Sequence, residues 1–334
     1  MLTRDLATNS KKAMDKADGI IAFTSKELIS SYKSALVDIR AKLDNLYDTF
    51  LTVAEPTKAQ LTQFMRLSNI EQEIVNTMRP YLTANEALIK DMSVLGVDTG
   101  YFNNAWAVDQ AVGVNLGWGM LDDTAVRVAA GISGDLGVLS GLMTDGEIKN
   151  HKKVLDKAFK NYGKDSVKWI SRDIKQGIIQ GESAVDVARR LKTSLGKSYN
   201  SAMLIARTEI LRSTGISGQI AYDEARNYGA EIIETWDATL DSRTRSSHAS
   251  ADGKIKDNVS GYFSVSWGDV PGPRRSGIAA EDIQCRCQSV GELGGLSPEL
   301  RALQAEGQTP KQSFKTLVKD QGITVNRFGQ KYNF

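Results

Sequence analysis

The chain has 334 residues, 41% of them hydrophobic and 25% charged, with a net charge of +2. At this length one core rarely keeps growing, so two or three structural units are expected. No apolar run approaches the roughly 18 residues that would cross a bilayer, which excludes a membrane span, and the start at Met1–Asp5 lacks a basic segment followed by an apolar one, so assembly in the cytoplasm is expected.

From Leu28 the apolar residues Leu28, Tyr32, Leu36, Ile39, Leu43, Leu46 and Phe50 step by three and four, which places them on one helical stripe. Thr24 and Glu27 form a candidate capping box for its start. A second helix is predicted after Pro56, carrying Leu61, Phe64, Leu67, Ile70, Ile74 and Met78, with Pro80 as its end. Thr83 and Glu86 then cap a third. Residues 1–95 thus read as an N-terminal helical assembly region, a hairpin or bundle whose stripe serves an internal core or a partner's helices.

Residues 96–165 mix glycines with Trp106 and Trp118 and read as a glycine-containing helical connector with flexible joints. Gly117-Trp118-Gly119 lacks the spacing of a dinucleotide fingerprint, and no Walker-type Gly-Lys-Ser/Thr occurs, so a nucleotide-binding fold is excluded. His151, in the polar run Asn150–Lys153, reads as a solvated residue.

Helical spacing returns at Ile170, Ile174 and Ile178, breaks at Gly181-Glu182-Ser183, and resumes with Val185, Ala188, Leu191 and Leu195. A further helix is predicted over about 201–227, closed by Gly229, with Glu209 and Arg212 on one face. The pattern then turns β-like. Ile232–Trp236 and Tyr262–Trp267 read as strands, with Asp252-Gly253 as a hairpin-type turn. The predicted fold class is α+β, predominantly helical: the N-terminal hairpin or bundle followed by a C-terminal α+β domain with a small antiparallel sheet.

Both cysteines lie in Cys285-Arg286-Cys287, and one of two histidines, His248, stands about forty residues upstream. Structural zinc takes four thiolate, imidazole or carboxylate ligands in a tetrahedron. His248, Cys285 and Cys287 would supply three, with Asp241, Asp252 or water as the fourth. The alternative is that Cys285 and Cys287 are small buried packing residues beside a hydrogen-bonded His248.

The features Gly181-Glu182-Ser183, Ala206-Arg207-Thr208-Glu209, Trp236 with Thr239, Asp241-Ser242-Arg243-Thr244-Arg245, His248, Asp252-Gly253 and Cys285-Arg286-Cys287 occur in an order that resembles the phage Mu F-like, or phage head morphogenesis, family. The resemblance covers residues 166–292. It implies a minor capsid protein of a tailed phage, located in the virion head and acting with the portal protein and major capsid protein. Relatives carrying a cysteine where this chain has Arg245 or Ser247 imply a fuller thiol set than is present here.

Within that motif Arg207, Glu209, Trp236, Asp241, Arg243, Asp252, Gly253 and Arg286 are expected to form a structural network, its charges clamping helix to strands. A competing enzyme reading makes the His248/Cys285/Cys287 region a metal-dependent nuclease or transferase, with His248 as base and Asp241 and Asp252 on a divalent ion. The stretch Val270–Gly277, with Arg274 and Arg275, is expected to be exposed. With Lys311, Lys315, Lys319, Arg327 and Lys331 of the basic tail, residues 293–334, it is a candidate contact for phage genomic DNA.

Overall fold

The computed structural model describes residues 2–50, 69–139, 143–180, 182–306 and 316–317. The elements run α1 (Leu2–Phe50), α2 (Ile70–Val112), α3 (Asp123–Ala129), α4 (Asp145–Ile179), α5 (Ala184–Asn227), β1 (Ala230–Asp237), α6 (Ser246–Ala251), β2 (Phe263–Val265), β3 (Gly268–Val270), α7 (Ala279–Asp282), β4 (Gln288–Leu296) and α8 (Pro298–Ala305). The class is α+β and predominantly helical. The predicted segment 56–68 lies outside the described residues.

Several predicted helix boundaries are absent. Thr24 is buried inside α1, because the stripe continues upstream through Leu6, Ala13, Ala17 and Ile20. Alanines carry that half, so its apolar periodicity is weak. Pro80 lies within α2, flanked by buried Met78 and Leu82. Packing on both sides offsets the roughly 3 kcal/mol that an interior proline costs. Likewise α5 is one helix over the two predicted stretches, since Leu195, Ser198 and Ala202 stay buried across the supposed joint. Its start is capped as expected, Ser183 Oγ accepting from Asp186 N at 3.2 Å.

The chain divides into two compact units. One comprises residues 22–89 and 156–205 and is helical. Leu28, Ile39, Leu43, Ile74, Met78, Ile170, Ile174 and Leu191 are buried there. A polar seam runs through it: Tyr32 Oη lies 2.6 Å from Tyr162 Oη and 2.7 Å from Ser198 Oγ, and Ser198 Oγ lies 2.6 Å from Ser166 Oγ. Each hydroxyl finds a partner, so the seam fixes helix register without stranding a buried donor.

The other unit comprises residues 1–21, 90–155 and 206–334. Its core joins Leu6, Val97, Tyr101, Trp118, Val126, Ile148, Ile216, Ile220, Ile232 and Leu293. Gly96 and Gly100 are close-approach points between α2 and α5. A Cβ on Gly100 would fall 2.2 Å from Thr214 O, and one on Gly96 would fall 3.0 Å from Ile210 O. Trp118 is buried, and its Nε1 donates to Asp109 Oδ1 at 2.8 Å.

The β portion belongs to this unit. β1 pairs antiparallel with β4, Trp236 opposite Ser289, with a bulge between Glu231 and Ile232. β2 and β3 form a separate hairpin, so the predicted Tyr262–Trp267 strand does not pair with β1. Tyr222 ties α5 to the sheet: its hydroxyl donates to Asn104 Oδ1 at 2.8 Å and accepts from Gly291 N at 3.0 Å. Gly291 must lack a side chain, because a Cβ would fall 2.7 Å from the Tyr222 ring. No helix among the described residues is long and apolar enough to cross a membrane.

Candidate functional site

Beyond β1 the chain turns through residues 238–245, forms α6, and folds back at Asp252-Gly253. That pair is not a tip between two paired strands. Asp252 Oδ1 accepts from Ala238 N at 2.8 Å, Gly253 N donates to Trp236 O at 2.8 Å, and Gly253 takes φ +75°. Such a left-handed angle favours glycine. The excursion closes against β1 and presents His248 inward from the short α6, 3% exposed.

Cys285 and Cys287 reach the same place from the segment before β4. In an extended chain residues two apart face one side, which is the physical content of the Cys-x-Cys spacing. Both sulphurs are buried, while Arg286 between them is half-buried on the other side. There its guanidinium grips Asp241 bidentately, NH1 to Oδ2 at 2.6 Å and NH2 to Oδ1 at 2.5 Å. Asp241 also accepts from Arg243 N at 2.9 Å. Arg286, then the Arg243 amide, hold its carboxyl well below the usual carboxylate range.

His248 Nδ1 lies 3.3 Å from Cys287 Sγ and 3.5 Å from Cys285 Sγ. On the opposite ring edge Nε2 lies 2.9 Å from Glu281 Oε2. With the proton on Nε2 donated to Glu281, the Nδ1 lone pair faces both sulphurs. Trp267 stacks on the imidazole at 4.9 Å, and Trp236 and Phe263 complete the small apolar cluster. Hydrogen bonding from Cys287, with His248 and the charge of Arg274, pulls the Cys285 thiol below its ordinary range against burial. Cys285 and burial push Cys287 up.

A second buried cluster sits beneath the same segment. Glu209 of α5 pairs with Arg212 one turn on and with His151 Nε2 at 2.8 Å. Burial pushes its carboxyl up, but the charge of Arg212 and the hydrogen bond from His151 outweigh that and hold it at about 2. Arg212 Nε donates to Arg274 O at 2.6 Å. Arg274 NH1 in turn donates to Cys285 O at 3.1 Å and to Cys287 O. Thr208 Oγ1 accepts from Gln284 N at 3.3 Å. The Ala-Arg-Thr-Glu run is thus the helical platform on which the cysteine segment is fixed.

Sequence reasoning placed some of these groups and missed others. Asp241, Arg243 and Arg286 meet, whereas Glu209 belongs to the second cluster. Arg207 is exposed, its charge felt by Asp18. Asp241 engages Arg286 and Asp252 engages Ala238 N, so neither carboxylate joins the group formed by His248, Cys285 and Cys287. The expected exposed loop is largely buried from Pro271 to Arg274, because Arg274 satisfies carbonyls that would otherwise be stranded. Arg275 pairs with Glu147 at 2.9 Å and also binds Gln219. Their guanidinia are occupied within the fold and do not form a DNA-facing patch. Lys311, Lys315, Lys319, Arg327 and Lys331 lie outside the described residues.

His151 is buried, not solvated, since it answers Glu209. Neither Glu281 nor Asp282 has a role that was legible in the sequence. Asp282 accepts from Ser276 N and Gly277 N at 3.1 and 2.9 Å and fixes the turn before α7. Glu234, fully buried between Arg226 at 2.9 Å and Lys256 at 3.1 Å, was legible only as the inward position between Ile232 and Trp236.

Residues 168–290 match the family described as Phage Mu protein F like protein. The chain is 28% identical over 280 residues to the NAD(+)-arginine ADP-ribosyltransferase EFV of Enterococcus faecalis, covering 83% of this chain and 53% of that protein. It therefore spans about half the length of that relative. It is 27% identical over 304 residues to Minor head protein GP7 of Bacillus phage SPP1, covering 90% of this chain and 92% of that one. No solved structure matches the chain. The helical platform, the Asp241–Arg286 grip and the Cys-Arg-Cys segment all fall within residues 168–290, the region that matches the phage Mu F-like head morphogenesis family.

Proposed function

We propose that this chain is a minor head protein that assembles with the portal and major capsid proteins in the host cytoplasm and contacts packaged DNA through its basic tail. The family gives the coarser role, head morphogenesis, and a place in the phage virion. One observation carries the finer reading: the similarity to a minor head protein runs nearly end to end in both chains, so it takes in the helical regions as well as the matched 168–290 segment. In this reading the Mu F-like region is a rigid module. Four of its charged groups, Glu209, Arg212, Arg274 and Asp241, are spent on contacts within the fold, which suits a binding and assembly role. The test is sedimentation of purified chain with portal rings. Co-sedimentation is expected, and a chain that never shifts with portal or capsid subunits contradicts the partner assignment. For the tail, removal of residues 307–334 is expected to abolish salt-sensitive binding to duplex DNA.

The ADP-ribosyltransferase named among the relatives supplies a second reading, transfer of ADP-ribose to arginine. Because the chain spans about half of that protein, we place the named activity in the part that this chain does not cover. Incubation with labelled NAD and arginine-rich acceptor proteins is expected to leave them unlabelled. Label transfer would reverse the assignment.

A further inference from the structure

We propose that His248 Nδ1, Cys285 Sγ and Cys287 Sγ form a zinc site whose fourth ligand is a water, and that Glu281 orients the histidine ligand from behind. Three observations converge on it. The three ligand atoms lie within 4.8 Å of one another, and all three residues are buried. In tetrahedral zinc, with Zn–N of about 2.0 Å and Zn–S of about 2.3 Å, a nitrogen and a sulphur ligand stand about 3.5 Å apart. The 3.3 and 3.5 Å separations found here are close to that edge.

The second observation is the far side of the imidazole. A metal-bound histidine ordinarily donates its other N–H to a carboxylate, which fixes the tautomer and the ring plane. Glu281 Oε2, 2.9 Å from Nε2, holds that position, and Ser247 Oγ steadies the same oxygen at 3.1 Å. Stacking of Trp267 on the ring restricts its rotation.

The third is space. A recess of about 20 Å³ opens on His248, Cys285 and Cys287 and is walled by Thr239, Thr244 and Arg286. That volume holds roughly one water. Since Asp241 is held by Arg286 and Asp252 by the turn, no carboxylate of the motif is positioned as fourth ligand. The charges close: two thiolates neutralise the divalent ion, and the imidazole stays neutral. Bound there, the ion would tie α6 to the segment entering β4 across a cluster with little apolar area of its own.

Full-length protein purified without chelators is expected to carry about one zinc per chain. Cobalt(II) added to the metal-free protein is expected to give thiolate-to-metal charge-transfer absorption and the strong visible bands of a tetrahedral ion. Cys285→Ser with Cys287→Ser abolishes both signals. Should that pair fail to fold, Glu281→Gln keeps every ligand and is expected to lower cobalt affinity by roughly 10–100-fold. Wild-type protein that is folded, holds no zinc and shows no charge-transfer band on cobalt titration overturns the proposal. Unchanged cobalt affinity in Glu281→Gln overturns the role given to Glu281. Portal binding is read separately, so loss of the metal site leaves the assembly reading standing.

Discussion

Replacing Glu209 by glutamine removes the central charge of the platform beneath the cysteine segment. Glu209 is 4% exposed and faces both Arg212 and His151. A carboxyl that titrates at about 2 in the fold, against an ordinary 4.5, contributes about 3 kcal/mol at neutral pH. Because the folded value is depressed, that contribution is complete above about pH 4.5 and is lost as pH falls toward 2. Glu209→Gln is therefore expected to lower Tm by about 6–12 °C at pH 7, using about 2–4 °C per kcal/mol for a unit of this size. The gap between variant and wild type, followed by calorimetry and by urea midpoints, should narrow steadily between pH 4.5 and 2.5. Arg207→Gln, an exposed change two residues away, is the control and should shift stability by no more than about 0.5 kcal/mol. A Glu209→Gln shift below about 2 °C at pH 7, or one of equal size at pH 7 and pH 3, would refute the reasoning.

Three further outcomes are expected. Arg274→Lys keeps the charge but cannot hold Cys285 O, Cys287 O and its place above Arg212 together; a loss of about 2–4 kcal/mol in urea unfolding is expected, and a neutral result would contradict the bridging role. Gly100→Ala drives a methyl into Thr214 O and should cost about 1–3 kcal/mol or more, whereas Gly117→Ala meets open space and pays only for its φ of +73°. If both cost the same, close approach of α2 and α5 is not what Gly100 provides. Lys256→Met, which strips Glu234 of one of two cationic partners in a fully buried site, should destabilise by about 3 kcal/mol, and Glu234→Gln in the same background should recover part of that loss.

Much of the helical plan was legible because apolar spacing at Leu28–Leu43 and Ile170–Ile178 carries a 3.6-residue period. What escaped were continuities. Thr24, Pro80 and Thr83 each look like boundaries locally, and only burial on both sides shows that they are interior. β4 was invisible because Gly291, Gly294 and Gly295 depress strand propensity, although Gly291 is demanded by Tyr222. In the site, residue type and spacing brought His248, Cys285 and Cys287 to attention. They could not reveal Glu281, nor show that Arg274 turns inward at φ +65° to satisfy two carbonyls. The basic character of Pro271–Arg275 reads identically whether its charges meet solvent or are spent inside; contacts distant in sequence decide it.

The most direct test of the head-assembly role is the protein content of purified heads made by co-expressing this chain with its phage's portal, scaffold and major capsid proteins. A small fixed number of copies per head, retained through high-salt washing and lost when the portal is omitted, is the predicted result. Heads of normal size and DNA content that contain none of this chain, or that form equally well in its absence, would contradict it.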